Sequence, residues 1–154
     1  MKKIKIANGQ GFWGDSIEAP KELIRNADID YLTLDYLAEI TLSIMQKQKT
    51  KNPNKGYALD FVNLISETAI DLKNRQIKVV SNAGGVNPKT CSYEIKKILD
   101  DMNIDLKVGY IEGDDILDDL DSLISCGAQL SNMDTGEDIS LIRDRICSAN
   151  VYID

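Results

Sequence analysis

The sequence predicts an α/β fold, a mostly parallel sheet flanked by helices, and three observations carry that expectation. Short runs rich in β-branched and aliphatic residues, at 4–7, 29–34, 77–80 and 106–111, recur along the 154 residues. Longer stretches with apolar residues at helical spacing separate them. Each run ends in a turn rich in Gly, Asn or Asp. Parallel neighbours need crossover helices, so strands alternating with helices argue for a Rossmann-like or flavodoxin-like three-layer sandwich.

The first strand, residues 4–7, runs into NGQGFWGDS (residues 8–16), a turn that holds Gly9, Gly11 and Gly14 beside Phe12 and the only Trp, Trp13. Glycines let the backbone take positive φ or approach a ligand closely. Two large aromatics in a turn need a core or a ligand to cover them. Ser16 then caps a short helix with Pro20 near its start, Leu23 and Ile24 inward and its end near Asn26. The second strand, 29–34, closes at Asp35-Tyr36. A helix follows with Leu37, Ile40, Ile44 and Met45 inward, giving way at Gln46 to a polar tail, QKQKTKNPNKG, read as a solvated loop.

Residues 57–75 form the clearest helix, with Phe61, Leu64, Ile65, Thr68, Ala69 and Leu72 on one stripe. The strand 77–80 ends at SNAGG (residues 81–85), and Val86-Asn87-Pro88 leads into a helix with Ile95, Ile98, Leu99 and Met102 inward. A further strand, 106–111, a loop at 112–115 and a helix through Ile116, Leu117, Leu120, Leu123 and Ile124 repeat the pattern, with Gly127 as the stop. The stretch 149–153 reads as a last strand without a covering helix, which points to a fragment or to a domain that packs on another.

Composition narrows the chemistry. With 43% hydrophobic and 28% charged residues, the chain has the makings of one globular core. A formal charge of -7 and no basic stripe argue against a nucleic-acid partner. There is no histidine, so Ser-His-Asp and Cys-His mechanisms within this chain are excluded, and any general acid or base is Asp, Glu, Lys, Tyr or Cys. Cys91, Cys126 and Cys147 are widely spaced and form neither a disulfide framework nor a zinc site. No segment approaches the roughly 18 apolar residues of a membrane span, and the N-terminus lacks a signal-peptide run, so a cytoplasmic protein with no membrane partner is expected.

In open α/β sheets, ligands sit beyond the carboxyl ends of the strands. That rim is expected to hold residues 8–16, 35–39, 82–87, 112–115 and the chain end. Gly9, Gly11 and Gly14 formally fit G-x-G-x-x-G, with Asp35 as the acid closing the second strand. The bulk of Phe12 and Trp13, where a pyrophosphate would approach, weighs against a dinucleotide. A structural turn with Trp13 in the core is the plainer alternative. Residues 81–85 either offer backbone N–H groups to an anion or form a tight turn that needs glycine. Asp35 and Glu39, four apart, share a face if a helix starts at Asp35, as an acid-base pair, as metal ligands or with Asp35 as a helix cap. The acidic run 112–121 lacks the spacing of a calcium loop. Cys91 lies near a helix start, where a buried apolar role is the commoner one.

Five words, NGQGFWGDS (8–16), LDYLAEITLSI (34–44), GYALDFV (56–62), VVSNAGGVNP (79–88) and SANVYI (148–153), resemble the acyclic terpene utilisation protein A family, in order and over nearly the whole chain. The resemblance implies that residues 1–154 are a single α/β domain, the N-terminal part of a longer family protein. Carried over by position, it places Asp15, Asp35 and Glu39 as catalytic candidates. Gly11, Trp13, Gly14, Tyr36, Asn82, Gly84, Gly85 and Asn87 are the ligand-binding candidates, with no metal site assigned and no cofactor identified. It also implies a small branched carboxylate or acyl-CoA as ligand, lyase or hydratase chemistry in terpenoid or related acid catabolism, and association with a second copy or with the remainder of the longer protein. The alternative is a non-catalytic ligand-binding or assembly subunit.

Overall fold

A computed structural model describes residues 3–151. Its contacts divide the chain into two compact units, Met1–Ile111 and Glu112–Asp154.

In the first unit, the strands β1 (Ile6–Gln10), β2 (Tyr31–Leu34) and β3 (Lys78–Ser81) form one parallel sheet in the order β1-β2-β3. Ile6, Ala7 and Asn8 face Tyr31, Leu32 and Thr33, and a register shift between Asn8 and Gln10 brings Gln10 opposite Leu34. Tyr31 to Leu34 then face Lys78 to Ser81 without a break. The helices α1 (Glu18–Asn26), α2 (Glu39–Lys51), α3 (Leu59–Arg75) and α4 (Pro88–Asp101) accompany the sheet. This is the expected α/β fold, consistent with a three-layer sandwich.

One apolar cluster joins Leu32 and Leu34 of the sheet to Ile24 of α1, Leu42 and Met45 of α2, Val62, Leu64, Ile65, Ala69 and Leu72 of α3, and Ile95 and Leu99 of α4. Ala7 and Val79, partly buried, pack against it. Burial of each such side chain contributes roughly 1.5–3 kcal/mol, which makes this cluster the main source of stability. Polar ties lock the helices in place. Buried Lys21 of α1 meets Glu67 of α3 at 2.7 Å and Glu18 at 2.9 Å, and Arg75 of α3 donates to the carbonyls of Ile24 and Ala27, capping the end of α1. Gly9 is required by contact: a Cβ there would sit 3.0 Å from Pro20 Cβ and 3.1 Å from Leu34 Cδ2, so glycine lets α1 lie close on β1.

The first strand reaches Gln10, three residues beyond the expected end. Helix α2 continues to Lys51 through the tail expected to be a loop, because Gln and Lys are good helix formers and nothing breaks the helix before Asn52-Pro53. Its buried residues are Leu42 and Met45, while Ile40 and Ile44 are exposed. Of the expected stripe, Met45 is buried and Leu37 packs against the core, while Leu42 takes the inward place expected of Ile40 and Ile44. The expected strand at 106–111 forms no ladder; Leu106 and Val108 pack against the core from an irregular, alternating segment.

In the second unit, α5 (Leu120–Ser125) is much shorter than the expected helix, and Gly127, at φ +88, follows its end. A 3-10 helix spans Ile139–Arg145, and the Arg143 guanidinium grips the Asp121 carboxylate at 2.6 and 3.0 Å. Isolated antiparallel bridges join Asp115 to Asn150 and Ser131 to Asp138. The expected final strand at 149–153 is represented by the bridge at Asn150, and its residues 152–153 lie outside the described residues.

Candidate functional site

The carboxyl ends of β1, β2 and β3 are stitched together at Asp35. Its backbone N–H donates to the Gln10 carbonyl at 3.0 Å, linking the first two loops. The Asn82 side chain links the second and third: its amide nitrogen donates to Asp35 Oδ1 at 2.7 Å, and its oxygen accepts the Tyr36 N–H at 2.7 Å. Ser81 Oγ adds a bond to the Leu34 carbonyl at 2.9 Å. Asp35 Oδ1 also accepts the Leu37 N–H at 3.1 Å, an Asx turn of the kind short acidic side chains favour. The second carboxylate oxygen, Oδ2, accepts no hydrogen bond among the described residues, and the residue is exposed. A carboxylate fixed through one oxygen and open at the other is suited to accept a proton or a hydroxyl donor.

The loop after β1 is closed on itself. Asp15 Oδ2 accepts the Gly11 N–H at 3.1 Å and Oδ1 accepts the Ser16 N–H at 2.7 Å. The Gly11 bond, with the Ser16 bond second, holds the Asp15 carboxyl below the usual carboxylate range. Amides in a glycine turn are a common seat for a phosphate. Here an internal carboxylate takes that seat and carries the same sign of charge as the anion it would displace. Gly14 takes φ +99, with open space where a Cβ would point.

Trp13 is half-buried, packs against the core and donates its indole N–H to Asp60 Oδ1, in the first turn of α3, at 3.1 Å. Phe12 beside it is 62% exposed. Tyr36 is buried, 2% exposed, with its ring edge-on to Phe61 at 5.9 Å. Burial pushes its phenol well above the ordinary range, and the Asp60 charge adds to the rise. Gln10 is equally buried beside this phenol; its Nε2 donates to the Phe12 carbonyl at 3.1 Å, while Oε1 has no partner among the described residues.

The loop after β3 uses its groups on the protein itself. Its N–H groups at Ala83, Gly85, Val86 and Asn87 donate to Ser81 Oγ, Asn82 O, Gly56 O and Gly84 O at 3.0–3.1 Å. A Cβ on Gly84 would come within 2.8 Å of Pro88, and one on Gly85, at φ +52, would overlap Met45 Sδ and lie 2.7 Å from the Gly56 carbonyl. Asn87 is buried and donates to the carbonyls of Pro53 and Lys55 at 2.8 Å each. Glu39 is the exposed first residue of α2, and no bond among the described residues ties it to Asp35 or Asp15. Cys91 is buried in α4 and its thiol is pushed up to about 12 by burial, the state of a packing residue rather than a nucleophile. Among the described residues, no group of three or more Cys, Asp or Glu side chains is placed to hold a metal ion.

A family model described as acyclic terpene utilisation family protein AtuA matches residues 4–153. The chain belongs to this family. The AtuA match takes in all three loops at the carboxyl edge. No curated protein and no solved structure matched the chain. No helix among the described residues is long and apolar enough to cross a membrane.

For this AtuA-family chain, the structure therefore brings Asp35, Asn82 and the Tyr36 backbone together directly, with Gly11 next to Gln10 in the chain and Asp15 tied to Gly11 by its hydrogen bond. Gly84, Gly85 and Asn87 shape the neighbouring loop, and Glu39 stands apart from these bonds. Gln10 and Asp60 were missed by sequence reasoning. Asp60 had a signal, being acidic in the first turn of a strong helix, where backbone N–H groups favour negative charge. Gln10 had none, since its burial depends on the strand running past Gly9.

Proposed function

We propose that this chain contributes the site of an enzyme that adds water to, or removes it from, a small branched carboxylate or its acyl-CoA ester, in the breakdown of terpenoid or related acids. The observation that carries the reading is Asp35, held through Oδ1 by Asn82 and the Leu37 N–H with Oδ2 open at the junction of three loops. In the hydration direction, Asp35 takes a proton from water as the oxygen bonds to the β-carbon of an α,β-unsaturated acyl group. A second group delivers a proton to the α-carbon. Glu39, exposed four residues on at the start of α2, is the candidate for that second role. Asn82 orients Asp35, Asp15 holds the loop after β1 through Gly11 and Ser16, and Phe12 with Trp13 offers an apolar wall to a branched chain.

The test is turnover of branched α,β-unsaturated and β-hydroxyacyl-CoA esters, read by loss or gain of the conjugated thioester absorbance. Asp35→Asn lowers kcat/KM about 100-fold or more while circular dichroism stays unchanged, the loss expected for a general base. Full activity in that variant removes Asp35 from the mechanism. A second reading, a non-catalytic ligand-binding or assembly subunit, draws support from the apolar Ile6 and Val80 of the sheet, which are 66% and 59% exposed. Binding of one ester without turnover of any would favour it.

A further inference from the structure

Strand alternation alone would place Gln10 on the face of β1 that carries the exposed Ile6 and Asn8. The register shift prevents this. Asn8 pairs with Thr33 and Gln10 with Leu34, so Gly9 is an extra residue in the ladder, and Gln10 turns inward with Leu34 to become 2% exposed. Bulges of this kind recur beside functional sites, where they re-aim a side chain. The amide buried in this way is used on one side only. Its Nε2 donates to the Phe12 carbonyl at 3.1 Å. Burial pushes the nearby Tyr36 phenol up and the Asp60 charge adds to the rise, while the Gln10 hydrogen bond pulls it down, as a donor to the phenol oxygen does. Oε1 has no partner among the described residues. The turn does not depend on the amide, because the Phe12 carbonyl also accepts the Asp15 N–H at 3.1 Å. A buried carbonyl oxygen without a donor is costly, and native structures keep few of them.

We propose that Gln10 Oε1 and the Tyr36 hydroxyl form a subsite for the hydroxyl group of a small, uncharged, branched ligand. The two unmatched functions select that group. Oε1 can only accept, and the phenol, kept protonated by burial and by the Asp60 charge, has a proton to donate. A hydroxyl accepts one bond and donates the other. An ether or ketone lacks the donor; a carboxylate lacks it too and would meet the Asp60 charge. Trp13 and Phe61 pack against the core beside this pair, and Phe12, 62% exposed, adds an apolar surface for the rest of the ligand. Entry runs through the turn after β1. Gly11 and Gly14 flank Phe12 and Trp13, and a Cβ on either would meet nothing nearer than Asp15 Oδ2, 3.8 Å from Gly11. The turn therefore has room to swing at these two glycines once the indole releases Asp60. The proposal is independent of the chemistry assigned to Asp35.

The experiment titrates 3-methylbutan-1-ol into the nitrogen-15-labelled whole chain, with its methyl ether as the control that keeps the oxygen and loses the donor. The Gln10 side-chain amide and the Trp13 indole N–H are followed by NMR. The expected outcome is a saturable shift of both signals with the alcohol and about tenfold weaker binding of the ether, the worth of one hydrogen bond. Gln10→Met should erase that preference, and Tyr36→Phe should weaken both ligands alike. Because Oε1 is unpaired and the Phe12 carbonyl keeps the Asp15 N–H, the urea midpoint of Gln10→Met should equal or exceed the parent's. No saturable shift would assign the pair to an internal water and overturn the proposal, as would equal binding of alcohol and ether by the parent. A preference that survives Gln10→Met would overturn it too. So would a urea midpoint of Gln10→Met well below the parent's, by making the amide a structural part of the turn.

Discussion

The loops after β1 and β3 are both rich in glycine and both lie at the carboxyl edge of the sheet, yet they use glycine for opposite ends. After β1, Gly14 stands in open space, and Gly11 supplies an N–H that holds the Asp15 carboxylate. After β3, Gly84 and Gly85 are pressed against Pro88, Met45 and Gly56, and the neighbouring amides close on protein carbonyls and a serine hydroxyl. The first loop is organised by hydrogen bonds to an internal anion and the second by close packing. A glycine motif therefore says where the backbone is unusual. What its N–H groups and its missing Cβ face decides whether a ligand has room.

Alanine at one glycine in each loop tests this contrast most strongly. Gly85→Ala meets both positive φ and overlap with Met45, so it should cost about 3 kcal/mol of unfolding free energy. Gly14→Ala meets backbone strain alone and should cost about 1 kcal/mol. Urea unfolding measures both, and equal losses would erase the distinction between packing and open loop. An effect the size of the Gly14 one is expected from Trp13→Phe, which removes the indole bond to Asp60 and should cost about 1 kcal/mol. If stability is unchanged, the β1 loop is not anchored to α3 by that bond.

The smallest expected effect is a pH dependence at Asp15. Its folded carboxyl titrates below the usual range, so its contribution is present above the unfolded value of about 3.9 and is lost as pH falls through the folded value. The gap between parent and Asp15→Asn in urea midpoint should be full at neutral pH and should close under acidic conditions below that value. A gap that stays constant through the acid range would show that the carboxylate form is not what holds Gly11 and Ser16.

Much of the fold was legible because its signals are local. The stripe of α3, the three strands that pair and the start of α4 at Pro88 each follow from spacing or from one residue's backbone restriction. Misses arose where tertiary contacts decide. Met45 is inward as its spacing implies, packed beside Gly85, but Ile40 and Ile44 of the same expected stripe are exposed and Leu42 is buried in their stead. Residues 106–111 have strand composition, yet no ladder forms there. At the site, Asp35 at the end of β2 was readable from chain position. The bridging role of Asn82 was not, since it depends on parallel pairing of β2 with β3 placing residues 35 and 82 side by side. Asp15 was readable as a loop acid, but its two backbone bonds depend on how the turn closes.

The proposed function makes Asp35 the reactive carboxylate of this edge and Asp15 part of its frame. The direct measurement is carbon-13 NMR of the aspartate side-chain carboxyls as β-hydroxy-β-methylbutyrate and its CoA ester are added to the whole chain, with assignments from Asp35→Asn and Asp15→Asn. A saturable shift of the Asp35 signal is expected, with the Asp15 signal nearly still. A saturable shift at Asp15 with Asp35 unmoved would contradict it.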